Sequence, residues 1–324
     1  MRTANIALSP TVPSPLLCGL PLPVQIAAFC LLWASAFSVA KLAIAGEPPL
    51  LVLTARFLLA GTVILGAAAA WRAPWTMGFR DVLLFAVLGI VNQAMYLGLS
   101  YVGISTTSSG LTALIISANP VLTAVLAAMF LNERMTWRKV LGLLLGVSGV
   151  AFVVGSRISG GLEHPAGIAF TLAALVSLVG GTILYKKFAP KGGLWIGNGV
   201  QSLAAGLATL PFALASESIG DIVPTWRLLG SVAYLALFVS IFAYVLWFHL
   251  LDVSGATAAS SYHFLMPPLG MLFGWLLLAE RIVPTDLIGI VPVALGIYLV
   301  TRPGSSRVKN RVTADKYIPR HSGS

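Results

Sequence analysis

Apolar runs of about 20 residues, the length that spans a hydrocarbon core, recur along nearly the whole of this 324-residue chain. Lipid offers no water to an unpaired backbone N–H or C=O, so each run must satisfy its own polar groups and therefore be a helix. The weak two-residue alternation of a membrane barrel is missing from the sequence. Composition agrees. Hydrophobic residues make up 58% and charged residues 9%, against roughly 25% charged in an ordinary soluble domain. The chain reads as an all-α polytopic membrane protein with the lipid bilayer as its solvent.

Ten transmembrane helices are predicted, at 24–45, 49–70, 81–102, 105–131, 137–155, 165–187, 194–215, 228–251, 256–279 and 284–301. The formal net charge of +10 would suggest nucleic acid in a soluble protein. Here the basic residues sit in short loops and a tail, which is a topology signal, so no nucleic-acid partner is expected. With the N-terminus inside, the inner side carries Arg2, Arg72, Arg80, Arg134, Arg138, Lys139, Lys186, Lys187 and Lys191, nine in all, against Arg157, Arg227 and Arg281 outside. The tail adds Arg302, Arg307, Lys309, Arg311, Lys316 and Arg320 to the inner side. Both ends are thus expected in the cytoplasm. Residues 1–23 are broken by Pro10, Pro13, Pro15, Pro21 and Pro23, make a poor signal peptide and read as a flexible leader. Residues 302–324 read as a basic cytoplasmic tail attracted to anionic lipid. Cys18 and Cys30 have no metal-ligand spacing and give no disulfide argument.

The chain also repeats itself. An offset of 147 pairs Pro120 with Pro267, Leu122 with Leu269, Leu131 with Leu278, Glu133-Arg134 with Glu280-Arg281, Gly142 with Gly289 and Gly149 with Gly296. An offset of 145 pairs Lys41 with Lys186, Leu58 with Leu203, Ala60 with Ala205 and Gly61 with Gly206, while Arg56 meets Gln201. Each half, 24–155 and 165–301 with 156–164 as linker, holds five predicted helices. Five is odd, so the second half must insert upside down. Inverted repeats with weak internal similarity mark secondary transporters whose substrate site lies near the midplane between the halves.

The order Lys41, Arg56-Phe57-Leu58-Leu59-Ala60, Asn119-Pro120-Val121 and Leu131-Asn132-Glu133-Arg134 resembles the EamA-type branch of the drug/metabolite transporter superfamily. The second half repeats the pattern with Tyr262-His263-Phe264-Leu265-Met266-Pro267-Pro268 and Leu278-Ala279-Glu280-Arg281. The resemblance covers about residues 24–301. It implies ten helices in two inverted halves, and export of amino acids or related small metabolites across a bacterial inner membrane. It is nearly silent on which substrate. Gln201 in place of an arginine and Met266 in place of an asparagine predict an asymmetric cavity.

Polar groups inside lipid are expensive and so are functional candidates. Arg56, in the outer third of the second helix, suits recognition of a substrate carboxylate, with a structural contact or snorkelling as the alternative. Lys41 lies near a helix end and reads as interfacial. His263 is mid-helix and suits proton coupling or pH gating, with a neutral hydrogen-bonded histidine as the alternative. His249 reads as interfacial. Asn92 and Tyr96 share a face, with Gln93 beside them, and adjacent amides near mid-membrane favour a cavity wall. Ser105, Ser108, Thr112, Ile116 and Asn119 form a mostly polar stripe, read as cavity lining or interhelical bonding. Ser240, Tyr244 and Trp247 share a face, as do Trp33 and Phe37. Trp33, Asn92, Gln93, Tyr96, Asn119, Tyr244, Trp247, Tyr262 and His263, with Arg56, are the predicted substrate-binding residues, describing a pocket for a small amphipathic molecule.

The glycines at 142, 146, 149, 289 and 296 permit close backbone approach, either between the halves or in a homodimer. Pro120, Pro267 and Pro268 remove backbone hydrogen bonds within helices, as hinges or static kinks. The sequence lacks a Walker A loop, a metal cluster, a catalytic constellation and any acidic residue in a helix core. ATP drive, enzymatic chemistry and a cofactor are not expected. The expectation is a secondary transporter working by alternating access. A drug or sugar-conjugate carrier and a non-transporting membrane scaffold are its rivals. A nucleotide-sugar carrier would want several cavity cations, and the core offers Arg56 and Lys41.

Overall fold

A computed structural model describes residues 20–131, 135–161, 163–188 and 193–301. Most of the leader, the Glu133-Arg134 hairpin, Lys191 and the basic tail lie outside the described residues. The described chain is all helix and turn: α1 (Leu22–Ala43), α2 (Pro49–Ala70), α3 (Phe79–Thr106), α4 (Ser109–Phe130), α5 (Trp137–Ser159), α6 (Pro165–Phe188), α7 (Leu194–Ser216), α8 (Trp226–Ser254), α9 (256–278) and α10 (Pro284–Thr301). Eight, α1 to α8, hold stretches long and apolar enough to cross a membrane; the apolar helices over Tyr262–Leu278 and Pro284–Gly296 are shorter.

The starts follow from local chemistry. Pro49, Pro165 and Pro284 open their helices, where the missing N–H would have had no partner. The Thr225 hydroxyl accepts from Leu228 N at 3.2 Å, and the Ser108 hydroxyl from Leu111 N at 3.3 Å. The Ser108 cap corrects the predicted start at 105. The third helix runs on to Thr106, so Ser105 ends α3 and drops out of the polar stripe expected on α4.

The two halves share two irregularities. Both third helices widen to a π-helix, at Ile90–Met95 in α3 and Leu235–Ala243 in α8. The 145-residue offset places Ile90 on Leu235. The inserted residue breaks the regular ladder, and side chains take up carbonyls that it frees. Ser177 donates to Val91 O at 2.7 Å, Tyr244 to Asn92 O at 3.2 Å and Asn198 to Ser240 O at 2.7 Å. Both fourth helices are interrupted just before their prolines, at Ser117–Ala118 in α4 and by the 3₁₀ turn Tyr262–Leu265 in α9. The prolines follow as Asn119-Pro120 and Met266-Pro267 and have no N–H to carry the helix through.

Paired residues of the repeat touch each other crosswise. A Cβ on Gly61 would lie 2.8 Å from Leu203 N, and one on Gly206 would lie 2.7 Å from Leu58 Cδ2. Likewise a Cβ on Gly149 would meet Gly289 O at 2.8 Å, and one on Gly296 would meet Gly142 O at 2.4 Å. Such exchange is what a two-fold relation between equivalent surfaces produces. In both cases the residue numbers run in opposite senses, so α2 crosses α7, and α5 crosses α10, antiparallel. The glycine faces of α5 and α10 are spent on each other inside the chain.

Of the described acidic side chains, Glu47, Glu163, Glu217, Glu280 and Asp286 gather at the Lys41 end of the bundle, where they hold helix starts and loops. Glu217 accepts from Leu50 N and Leu51 N at 2.9 and 2.8 Å, and Glu47 accepts from Val223 N at 3.0 Å. The start of α4 is held twice. Glu163 accepts from Ser108 N at 2.8 Å, and Glu280 from Ser109 N at 2.8 Å and Gly110 N at 3.2 Å. Each carboxylate complements the positive end of the helix dipole and is tied to a cation. Lys41 Nζ is 3.3 Å from Glu280. Arg157 donates to Glu163 at 2.7 Å and bridges both oxygens of Asp286, which is fully buried. At the other end Tyr185 donates to Asp252 at 3.0 Å and Lys186 to Leu251 O at 3.0 Å.

Candidate functional site

A cavity lies among α1, α2, α3 and α8, in the part of the bundle toward Lys41. Its wall is built from Trp33, Phe37 and Ala40 of α1, Arg56 of α2, Tyr96, Ser100, Tyr101 and Ile104 of α3, and Val239 and Tyr244 of α8. The open space is about 20 Å³, room for about one water. Metabolite sites measure roughly 300–1,000 Å³, so the cavity as it stands is too small for one.

Arg56 is the charged group of this wall and is 1% exposed. Its Nε donates to the Ser240 hydroxyl at 2.8 Å, and its Nη1 to the Tyr101 hydroxyl at 3.1 Å. The guanidinium carbon is 6.0 Å from the Phe57 ring centre. Among the described residues no carboxylate pairs with it. Two neutral oxygens hold the fork in place without neutralising it. Chemically, a guanidinium fork of this kind can grip a planar carboxylate at two points.

Toward the opposite end the cavity is floored by aromatic rings. Trp33 stacks on Tyr96 at 6.5 Å between centroids and is tilted against Tyr244 at 5.1 Å and Trp247 at 6.0 Å. His263 lies edge-on to Trp33 at 5.6 Å, to Phe29 at 5.5 Å and to Trp247 at 4.9 Å. Asn119 is beside it, its amide nitrogen 3.5 Å from His263 Nδ1 and its oxygen accepting from Thr123 at 2.8 Å.

Of the ten predicted binding residues, Trp33, Arg56, Tyr96 and Tyr244 stand on the cavity wall, and Trp247, His263 and Asn119 lie in or beside the aromatic floor. The other three do not reach the wall. Gln93 faces α7, donating to Asn198 at 3.3 Å and accepting from Ser202 at 3.2 Å. Tyr262 shares a hydrogen bond with Ser254 at 3.1 Å and accepts from Cys30 at its carbonyl. Asn92 points to α6, so close that a Cβ on Gly181 would lie 2.9 Å from its Oδ1. The π-helix explains the Asn92 and Gln93 result, because one inserted residue turns this stretch away from the direction an ideal helix gives. Four polar side chains in this core are buried with atoms that find no partner: both amide atoms of Asn92, both of Gln201, Trp247 Nε1 and His263 Nε2. Each unmet group costs about 1–3 kcal/mol.

Tyr101, Ser100 and Phe29 were not predicted. Tyr101 is five residues beyond Tyr96, about 140° around a regular helix, and the predicted helix end at 102 made it a boundary residue. Its signal was a phenol one residue from Ser100 on a helix that runs to Thr106.

Comparison with known proteins agrees with this architecture. A solved crystal structure superposes with a TM-score of 0.65 over 86% of this chain and 96% of the other, at 18% identity, a likeness of fold. An uncharacterized transporter of Archaeoglobus fulgidus is 28% identical over 83% of this chain and 95% of its own length. Protein PecM of Dickeya dadantii is 25% identical over 83% of this chain and 88% of its own. An S-adenosylmethionine/S-adenosylhomocysteine transporter of Chlamydia muridarum is 27% identical over 83% of this chain and 88% of its own. The model of the EamA-like transporter family matches twice, over residues 24–155 and 165–302, and this chain, a multi-pass membrane protein with the repeat its sequence announces, belongs to that family.

Proposed function

We propose that this protein is a secondary transporter exporting amino acids or closely related carboxylate metabolites, by alternating access through the cavity between its two halves. The observation that carries the substrate class is Arg56, a buried guanidinium on the cavity wall that no carboxylate among the described residues neutralises. Holding an unpaired cation away from water is costly, and a substrate anion offsets that cost on binding. The relatives named as carriers of S-adenosylmethionine and S-adenosylhomocysteine support the reading, since both molecules end in an α-amino acid. A single cavity cation argues against a nucleotide-sugar cargo, whose phosphates want several.

Ten crossings in two inverted halves complete the picture, with the shorter α9 and α10 as the last two. The crosswise, antiparallel contacts of α2 with α7 and of α5 with α10 support the inversion. In a bacterial inner membrane with both ends cytoplasmic, the positive-inside pattern makes the Lys41 end the outer one. The closed cavity then represents an occluded stage, held shut on the outside by the carboxylate contacts around the start of α4.

Counterflow into liposomes of a labelled amino-acid panel tests this. Saturable counterflow that falls at least tenfold in Arg56→Gln, with normal reconstitution, is expected. Saturable flux equally fast in Arg56→Gln would remove the carboxylate reading, and no flux of any panel member would remove the amino-acid cargo.

A further inference from the structure

Trp247 Nε1 and His263 Nε2 are buried and unpartnered on neighbouring rings, 4.9 Å apart and nearly perpendicular at 84°. Their hydrogen-bonding characters differ. The indole nitrogen can only donate. On His263, Nδ1 lies 3.2 Å from Ser260 O and 3.5 Å from the Asn119 amide nitrogen. The shorter contact is to an oxygen that can only accept. The Ser260 carbonyl favours the tautomer with the proton on Nδ1, which leaves Nε2 with a bare lone pair. One free donor and one free acceptor thus sit on adjacent rings packed among Phe29 and Trp33.

Trp33 belongs to both places. It lines the Arg56 cavity and packs 6.0 Å from Trp247 and 5.6 Å from His263. One indole therefore separates the cation from the unmet pair. His263 also lies on the 3₁₀ interruption of α9, where the regular ladder is already broken. A swing of Trp33 would open the Arg56 cavity onto these two nitrogens, giving a site cationic at one end and neutral at the other.

We propose that Trp247 and His263 form a second subsite, which reads an uncharged group presenting an acceptor and a donor together. A side-chain carboxamide or a hydroxyl fits. A second carboxylate does not, because it would face the lone pair on Nε2. This rests on the transporter reading above and narrows its substrates to carboxylates with a neutral hydrogen-bonding far end. The geometry makes Trp247 and His263 specificity-determining, whereas Arg56 holds the end common to all substrates.

The test compares near-isosteric pairs in proteoliposome counterflow: labelled tyrosine against phenylalanine, and glutamine against methionine. Wild-type protein should favour the hydrogen-bonding member of at least one pair by about tenfold, the worth of one satisfied buried hydrogen bond. In Trp247→Phe, which keeps a ring and removes the N–H while the His263 acceptor stays, that ratio should fall several-fold. A wild-type ratio near one in both pairs, with saturable flux sensitive to Arg56→Gln, overturns the subsite and leaves the transporter reading standing. A tenfold ratio that survives in Trp247→Phe also overturns it. Absence of counterflow for all four probes removes the amino-acid cargo itself, and the subsite with it.

Discussion

A single guanidinium is the charged group of the central cavity, and the proposed carboxylate cargo rests on it. Arg56 is held by two hydroxyls, from Tyr101 and Ser240, so its direction is fixed while its charge is unspent. The hydroxyls come from α3 and α8, so the fork is set by three helices at once. Replacing Tyr101 by phenylalanine removes the hydrogen bond to Nη1 but leaves the ring on the wall. Such a bond to a charged group contributes about 1.5–3 kcal/mol, part of which the freed Nη1 recovers by turning to the substrate. Tyr101→Phe should therefore weaken apparent affinity for a carried amino acid several-fold, read as KM in initial-rate uptake, with a smaller effect on the maximal rate. An unchanged KM would mean that the phenol does not orient the fork.

Helix contacts in this protein depend on glycines that let backbones touch. A Cβ on Gly296 would lie 2.4 Å from Gly142 O, closer than any Cβ fits. Gly296→Val should force α5 and α10 apart at about 1–3 kcal/mol or more, the range for overpacking. Thermal unfolding in detergent is expected to fall by several degrees, and equal Tm values would count against this packing. Gly155 provides the contrast. A Cβ there meets nothing within 4 Å, so Gly155→Ala should be neutral or slightly stabilising in the same assay, because alanine restricts the unfolded chain without a clash. Both glycines lie in similar apolar helices, and only their surroundings separate them.

Among the described residues, the bundle is tied more heavily at the Lys41 end. Lys41, Glu280, Arg157, Glu163 and Asp286 join α1, α5, α9, α10 and the approach to α6 to the start of α4. Opening that end must strip Glu280 from Ser109 and Gly110. Glu280→Ala should therefore shift the population toward a state open at that end, since losing a charged cap costs the closed state on the order of 1–2 kcal/mol. A cysteine at Ala40, on the cavity wall, reports this in a background with Cys18 and Cys30 replaced. Its labelling by a membrane-impermeant maleimide in whole cells should be several-fold faster in Glu280→Ala. Equal rates would show that these contacts do not hold the closed state.

The sequence by itself determined the helices, because apolar length in lipid leaves the backbone no other way to meet its hydrogen bonds. It also determined the repeat, whose spaced pairs of leucine and glycine became the crosswise contacts, and the interruptions, because Pro120 and Pro267 cannot donate to the helix before them. Tertiary structure alone decided which polar residues meet. The π-helices of α3 and α8 shift the phase of their helices in a way that no apolar run announces, so Gln93 turned to α7 and Asn92 to α6 while Tyr101 reached Arg56. It also decided that the acidic residues at the Lys41 end, which read as ordinary loop charges, would hold helix starts and loops brought together from both halves. A pattern along one helix reports which face is apolar. Which neighbour that face will meet is set by the packing of all the helices together.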